Sequence, residues 1–292
     1  MKRRNFIRNT SLASIALLAR PLNLFEFNPH SIGVQLYTVR DLMAKDPIGT
    51  LKSIATIGYK EIEPAGYADG KFYGMKPGDF KKNLDDLGLK ATSGHHGYSE
   101  SDFDQALDDA RAIGQQYYVI PSPPVEIKPG TDFFKTMDGK TADDFKKMAE
   151  LFNKLGKKAQ LEGLKLCYHN HNFEFMSFGG TTTGYDLLVE NTDPNLFNFE
   201  MDLFWVTKAG KKPLEYFKKY PGRFKLWHVK DMQEGANQHF APVGTGIIDF
   251  KELFEHAKLA GMEHFYVEQD NSYELSPLEA LKISYKNLKR IV

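Results

Sequence analysis

Residues Phe224-Lys225-Leu226-Trp227-His228-Val229-Lys230-Asp231 carry the pattern on which the fold prediction rests. A short run of apolar and aromatic residues predicts a buried strand, and polar residues follow where that strand ends. The same arrangement recurs along the chain, so we predict eight strands. They are residues 32–37, 59–64, 90–94, 117–121, 165–169, 197–202, 224–229 and 264–268.

Helical patterns separate these predicted strands. Apolar residues recur at helical spacing in the intervening segments, and two of the segments carry signals of a helix start. Pro77 suits a first helical turn, and Thr141 with Asp144 has the spacing of a capping box. The predicted helices are residues 47–57, 77–87, 101–113, 141–161, 185–190, 213–220, 250–260 and 277–291.

Eight strands alternating with eight helices predict a (β/α)8 TIM barrel in the α/β class, built as a single domain. Each crossover helix returns the chain to the same end of the sheet, so neighbouring strands run parallel, and eight such units close into a barrel. An open doubly wound sheet is the alternative, but its glycine fingerprint does not follow the first strand. Gly244-Thr245-Gly246 comes late in the chain and is interpreted as a loop turn.

Charge and cysteine content exclude several classes of protein. The 38 basic residues balance the 38 acidic ones. A neutral chain lacks the overall positive field that gathers phosphate backbones, so we expect no nucleic-acid partner. The single cysteine, Cys167, excludes an internal disulfide and a multi-cysteine zinc site. Because it lies in an apolar run, we expect it to be buried.

The N-terminus has the layout of an export signal. Arg3 and Arg4 precede Phe6, and a short apolar run follows at residues 11–19. That run is too short to span a bilayer, which takes about 20 residues. The paired arginines resemble the twin-arginine signal of bacteria. Residues 1–28 are therefore predicted to direct export to the periplasm, with a retained membrane anchor left open, and residues 29–292 to form the barrel.

Polar side chains gather after the predicted strands, at the end of the barrel where TIM barrels carry their chemistry. Six of the nine histidines follow strand ends, whereas scattered surface histidines would not cluster in this way. Carboxylates and imidazoles around one mouth suit a divalent cation of the Mn, Co, Zn, Mg or Fe class. A mixed nitrogen and oxygen site favours Mn, Co or Zn over Ca.

Several of these segments resemble the xylose isomerase-like TIM barrels, a superfamily of sugar phosphate isomerases, epimerases and AP endonucleases. The resemblance covers residues 32–292. Its motifs are specific together, whereas any one of them alone is weak evidence. Its pieces are Gly33-Val34-Gln35-Leu36-Tyr37, Tyr168-His169-Asn170-His171-Asn172-Phe173-Glu174-Phe175, Met201-Asp202, Trp227-His228-Val229-Lys230-Asp231, Gly244-Thr245-Gly246 with Ile248-Asp249-Phe250, and Val267-Glu268.

The resemblance implies one divalent metal ion held by four residues. Carried over by position, the metal ligands are Glu174, Asp202, His228 and Glu268. The ligand Glu of some relatives lies nearer the strand end, so His169 or His171 is the alternative to Glu174 or an addition to it. Where the family often has a histidine after the strand-six Asp, this chain has Trp205.

Other mouth residues are assigned to catalysis and substrate binding. Lys230 lies two residues beyond His228 and shares its face of the strand, so we expect it to contact a substrate oxygen. The alternative for each residue is a structural hydrogen bond or core packing. The predicted catalytic residues are His169, His171, Glu174, Lys230 and Glu268, and the predicted substrate contacts are Gln35, Glu63, His95, His96, Trp205 and Lys230.

The resemblance implies a sugar isomerase or epimerase that removes a proton next to the carbonyl of a keto sugar. A lyase or dehydratase acting on a keto sugar or keto glycoside would use the same site. The residues also allow a silent sugar-binding barrel and, less favoured, an endonuclease. The expected partner is a small carbohydrate, and a homo-oligomer is left open because barrels of this kind often pair.

The export signal gives a testable prediction. Replacing both Arg3 and Arg4 by Lys keeps the charge but removes the paired guanidinium groups. In a bacterium that has the twin-arginine pathway, we expect the parent chain in the periplasmic fraction and the double variant in the cytoplasm. Equal periplasmic amounts of the two chains on immunoblots would contradict the twin-arginine interpretation.

Overall fold

Eight parallel strands form one continuous sheet in the computed structural model, which describes residues 31–124, 132–178 and 180–292. The strands are β1 (Gly33–Gln35), β2 (Glu61–Glu63), β3 (Lys90–Ala91), β4 (Tyr117–Ile120), β5 (Lys165–His169), β6 (Phe197–Asp202), β7 (Phe224–Val229) and β8 (His264–Val267). Their order across the sheet is β3-β2-β1-β8-β7-β6-β5-β4, so each strand lies beside its neighbours in the chain, with β1 next to β8.

The sheet closes on itself just beyond the end of β3. The Gln116 amide donates to the Thr92 carbonyl at 2.9 Å, the Val119 amide donates to the Gly94 carbonyl at 2.9 Å, and His95 forms a parallel bridge with Val119. These hydrogen bonds join β3 to β4 and complete the ring. The prediction of a closed (β/α)8 barrel is confirmed.

Eleven α-helices lie in the described ranges and connect the strands. They are α1 (Arg40–Lys45), α2 (Pro47–Ile57), α3 (Pro77–Asp86), α4 (Phe103–Ala112), α5 (Ala142–Leu161), α6 (Gly184–Asn191), α7 (Leu203–Lys208), α8 (Pro213–Lys219), α9 (Phe250–Glu255), α10 (Ala257–Ala260) and α11 (Pro277–Leu288). Short 3-10 turns occupy Leu36–Val39, Phe133–Lys135 and Phe173–Phe175. The predicted capping box is present, since Thr141 and Asp144 satisfy each other's backbone amides at the start of α5.

Three local predictions differ from the structure. The helix expected at 250–260 is divided into α9 and α10 at His256, and α1 was not expected. Nor was α7, because its first residues, Leu203 to Val206, have the composition of a strand. Asp202 ends β6 and starts this helix: its Oδ1 atom accepts the Trp205 amide hydrogen at 2.9 Å, as an N-cap residue does.

Strand side chains alternate between the barrel interior and the surrounding helices. Tyr117, Val119 and Cys167 form an interior cluster with Leu226 and Tyr266. Their chain neighbours, including Tyr118 and Tyr168, belong to the larger core outside the strands. Cys167 is fully buried, as expected. The same alternation turns the polar residue that ends β5, His169, toward the interior.

The loop around Gly244-Thr245-Gly246 wraps the Asp231 carboxylate. This carboxylate accepts hydrogen bonds from four backbone amides, those of Met232, Gly244, Gly246 and Ile248, at 2.8 to 3.2 Å. A side chain at position 246 would overlap the Met232 carbonyl oxygen, so the tight approach requires glycine. The predicted loop turn is confirmed.

Two other predictions concern the cell envelope. Within the described ranges, no helix combines the length and the apolar character needed to cross a bilayer. The predicted export segment, residues 1–28, lies outside the described residues.

The Asp231 loop gives a prediction about stability. Asp231→Asn turns an amide group toward backbone N–H donors and leaves part of them unpaired, so we expect the free energy of unfolding to fall by about 1–3 kcal/mol. Asp249→Asn is the matched control, because Asp249 caps α9 at an exposed position where Asn serves equally well. Urea denaturation measures both, and equal midpoints for the two variants would contradict the prediction.

Candidate metal centre

The parallel register of β6, β7 and β8 brings three of the predicted ligands together. Asp202 lies beside His228 in the β6–β7 pairing, and Glu268 follows directly after β8, which pairs with β7. One ligand atom from each of the three residues lies within 4.8 Å of the others. All three side chains are buried. The structure therefore places Asp202, His228 and Glu268 where one ion could be held.

His169 lies close enough to supply a fourth ligand. Its Nε2 atom is 3.8 Å from Asp202 Oδ2, which is 3.9 Å from His228 Nδ1, and that nitrogen is 2.8 Å from Glu268 Oε2. Two atoms that each lie about 2.1 Å from a shared ion are at most about 4.2 Å apart. These three distances satisfy this bound, although His169 does not lie within 4.8 Å of all three other ligand atoms, as Asp202, His228 and Glu268 do of one another. We define the metal centre as Asp202, His228 and Glu268, with His169 beside Asp202 as the candidate fourth ligand.

The hydrogen bonding of Asp202 fits an ion at this position. Its Oδ1 atom caps α7, whereas Oδ2 is buried and receives no hydrogen bond from the described residues. The ammonium group of Lys230 contacts Oδ2 as an ion pair at 2.9 Å. The ion pair compensates the charge of this oxygen, which still has a lone pair to offer an ion. A mixed set of nitrogen and oxygen donors is the chemistry that Mn, Co and Zn accept.

Two further carboxylates lie at hydrogen-bond distance from the imidazole nitrogens that face away from the metal centre. Glu200 Oε2 is 3.1 Å from His169 Nδ1, and Glu63 Oε2 is 2.6 Å from His228 Nε2. Each ring thus has one nitrogen on a supporting carboxylate and the other directed to the metal centre. Such carboxylate–histidine pairs fix the tautomer and orientation of metal ligands.

A second group of potential ligands lies deeper in the barrel. It consists of His95, His169, Glu200 and His228. Glu200 Oε2 lies at hydrogen-bond distance from His95 Nε2, at 2.7 Å, and 3.2 Å from His228 Nε2. Because this one oxygen already contacts three imidazoles, we interpret the deeper group as support for the metal centre.

Burial and mutual contact shift the pKa values of these groups. Burial, reinforced by Glu63, raises the pKa of Glu200 to about 7, and burial also raises the pKa of Asp202. Burial lowers the pKa of His169 well below its usual range, which leaves the ring neutral, the form that binds metals. Although burial opposes it, Glu200 and Glu268 raise the pKa of His228. Carboxylates packed this closely favour an added cation.

Lys230 lies among carboxylates on the outer side of the metal centre. Its Nζ atom is 2.6 Å from Glu268 Oε2 and 2.9 Å from Asp270 Oδ1. Although burial opposes it, Asp202 and Asp270 raise the pKa of Lys230 well above its usual range, so the side chain remains a cation. It lies at the mouth, where the sequence predicted a substrate contact.

Glu174 is not brought together with the other predicted ligands. It accepts hydrogen bonds from the Tyr168 hydroxyl at 2.5 Å and from the His171 amide at 2.9 Å. Tyr168 packs against Phe152 of α5, on the helix side of β5. Burial raises the pKa of Glu174 to about 7. Its role as a ligand stays a prediction from resemblance, and so does the alternative, His169, whose Nε2 atom lies 3.8 Å from Asp202 Oδ2.

The predicted substrate contacts fall into three places. Gln35 and Glu63 bond to each other at 2.8 Å inside the barrel, where His95 also lies. His96 stacks on Tyr118, in the core between strands and helices. His171 and Trp205 adjoin each other at the mouth, with ring centroids 5.6 Å apart. Their roles toward a substrate stay predictions.

Sequence reasoning passed over Glu200 and Asp270 as site residues. The signal was available in the alternation of strand residues: Glu200 shares the face of Asp202, and Asp270 shares that of Glu268. Strand alternation alone does not tell which of these residues are ligands and which support them, because that depends on distances seen only in the structure.

The support by Glu200 gives a prediction. Glu200→Gln keeps the shape of the side chain but weakens its hold on His169, so we expect affinity for Mn, Co or Zn to fall by about 10–100-fold. The matched control is Glu61→Gln, which alters a similar pair at the opposite end of the barrel, where Glu61 accepts from His264 at 2.8 Å. Calorimetric titration with each metal measures the affinity of both variants, and equal affinities would contradict the supporting role of Glu200.

Comparison with known proteins agrees with the fold. Residues 51–291 match the family model for the xylose isomerase-like TIM barrel. A solved sugar phosphate isomerase/epimerase from Parabacteroides distasonis is 27% identical, with a TM-score of 0.74 over 88% of this chain and 93% of that one. The IOLI protein, solved with a zinc atom, has a TM-score of 0.65 over 90% of this chain and 98% of that one. Its identity is 15%, and it supports the fold alone.

Sequence relatives carry the name inosose dehydratase. That of Lacticaseibacillus casei is 28% identical over 257 residues, 76% of this chain and 85% of the relative. That of Bacillus anthracis is 33% identical over 138 residues, 41% of this chain, and the match spans less than half, 45%, of the relative's length. With the family model matching most of its length, the chain belongs to the xylose isomerase-like TIM barrel family.

Proposed function

We propose that this protein is a metal-dependent enzyme that removes the proton next to the carbonyl of a cyclic keto sugar or keto polyol and then eliminates water. The observation that carries the proposal is the convergence of Asp202 Oδ2, His228 Nδ1 and Glu268 Oε2 at the barrel mouth, with His169 Nε2 3.8 Å from Asp202 Oδ2. The relatives named inosose dehydratase support elimination as the outcome.

The metal centre would hold one divalent ion, of the Mn, Co, Zn or Mg class. Bound there, such an ion acts as a Lewis acid that polarises a carbonyl and makes the neighbouring C–H more acidic. Lys230 supplies a second, permanent positive charge beside it. Its Nζ atom lies 2.6 Å from Glu268, so negative charge that develops on a substrate oxygen at this place is stabilised by the ammonium.

His171 is the residue that we assign as proton acceptor. Its ring centroid lies 5.0 Å from that of His169, and its buried Nδ1 atom has no hydrogen-bond partner among the described residues. Burial, reinforced by Lys230, lowers the pKa of His171 to about 3, so the ring is neutral. His169 and Glu268 are committed to the metal centre, which leaves His171 as the free imidazole at the mouth.

The elimination conserves atoms and charge through one proton that His171 accepts and returns. The C–H proton passes to His171 Nδ1, and its electron pair forms a carbon–carbon double bond. The hydroxyl group on the adjacent carbon leaves, takes up the proton that His171 returns and departs as water, which restores the neutral ring. Return of the proton to the substrate, without loss of the hydroxyl, would instead give an epimer or an isomer.

An isomerase or epimerase is therefore the second candidate. The Parabacteroides distasonis structure, with its TM-score of 0.74, favours it. Both candidates share the first proton transfer. Action in the periplasm, on unphosphorylated substrates, remains part of the proposal and rests on the predicted export signal.

The shared proton transfer gives a prediction. Metal-loaded protein is incubated in D2O with a panel of keto sugars and keto inositols. We expect deuterium at the carbon next to the carbonyl, or the unsaturated dehydration product, measured by NMR. His171→Gln should slow this reaction by about 10²–10⁴-fold while it binds the metal as tightly as the parent chain does.

His256→Gln is the matched control, because His256 lies at the junction of α9 and α10 and its ring bonds only to the Glu252 carbonyl oxygen among the described residues. Its rate should equal that of the parent chain. If the metal-loaded parent chain neither exchanges protons nor forms a product across the panel, the enzyme proposal fails and a silent sugar-binding barrel takes its place.

A further inference from the structure

A cluster of aromatic rings borders the metal centre on the side of β5 and β6. We call it the aromatic rim. Its rings pack edge to face, tilted or stacked, with neighbouring centroids 4.9 to 5.8 Å apart. Its members are Phe133, Phe134, His171, Phe173, Trp205 and Phe240.

Three contacts fix the rim relative to the metal centre. The Trp205 amide donates to Asp202 Oδ1 at 2.9 Å, so the ligand that offers Oδ2 to the centre also positions Trp205. The His171 ring lies 5.0 Å from the His169 ring. Lys230 Nζ lies 5.5 Å from the centroid of the Trp205 ring. A molecule bound at the centre therefore has the rim as its immediate neighbour.

The outer part of the rim offers an apolar face to a ligand. Phe134 is 46% exposed, and its ring lies 5.4 Å from that of Trp205, which is 5% exposed. The buried Trp205 Nε1 donor has no partner among the described residues. An aromatic face beside an unpaired donor suits a ring that carries both a flat apolar surface and oxygen atoms.

We propose that the aromatic rim is a second binding subsite, which holds a ring attached to the reacting keto sugar. The substrate is then a keto glycoside or keto disaccharide rather than a free monosaccharide. This inference rests on the proposed function for the identity of the reacting ring. Two sources share the required chemistry, an aromatic aglycone with a π-face and a second sugar with a face of C–H groups.

Calorimetric titration of the full chain tests the subsite without any turnover. The probes are phenyl β-glucoside, cellobiose and glucose, none of which has the ketone that the proposed reaction needs. We expect phenyl β-glucoside or cellobiose to bind at least about tenfold tighter than glucose, as an aromatic contact of this kind provides. Comparison of the first two probes tells an aromatic aglycone from a second sugar.

Phe134→Ala should abolish the preference, and because Phe134 is half exposed the fold should survive. Leu161→Ala is the matched control: Leu161 is 79% exposed at the end of α5, ahead of β5 and thus at the far end of the barrel. It should retain the full preference.

Tryptophan fluorescence locates the bound ring. The chain has two tryptophans, and Trp227 is fully buried against Phe217, so Trp227→Phe leaves Trp205 as the reporter. Its emission should change with the ring-bearing probes and remain unchanged with glucose. Equal affinity for all three probes, or a preference that survives Phe134→Ala, would overturn the subsite. Since the titration measures binding and not turnover, failure of the proton-transfer experiment would leave a positive result here intact.

Discussion

Side-by-side parallel strands place every second residue inside a narrow barrel, and the site depends on this constraint. Asp202 stands beside His228 because β6 pairs in parallel with β7, and Glu200 stands beside His169 because β5 pairs with β6. The acidic residues at these positions are buried. They must be compensated by cations within the same space, since buried charges are stable only when paired.

The available compensation is incomplete without an added ion. Four carboxylates, those of Glu63, Glu200, Asp202 and Glu268, are at most 5% exposed, and Lys230 is the permanent cation among the described residues that contact them. Although burial opposes it, nearby carboxylates raise the pKa values of His95 and His228, so these two rings share in the compensation, whereas burial lowers the pKa of His169. Burial also raises the pKa values of Glu200 and Asp202, which makes the remaining negative charge costly. A divalent cation would balance it at the point where Asp202 Oδ2 lacks a hydrogen bond.

Much of this architecture could be predicted from the sequence, because strand periodicity and the polar residues after each strand are local features. The bounds of β5, β6 and β7 agree with prediction, and Asp202, His228 and Glu268 meet as expected. The assignment of Glu174 was carried over from the family resemblance, yet the chain turns there so that Tyr168 and His171 donate hydrogen bonds to its carboxylate. Segment α7 is rich in apolar and aromatic residues, and it begins as a helix at the Asp202 cap. Such outcomes depend on three-dimensional contacts that composition does not encode.

Anomalous diffraction from a crystal loaded with Mn or Zn would test the central claim most directly. The account predicts one strong peak per chain, bonded to His169 Nε2, Asp202 Oδ2, His228 Nδ1 and Glu268, with Glu63 and Glu200 outside bonding distance. A peak bound instead by Glu174, or one held by His95 and Glu200 in the deeper group, would contradict it.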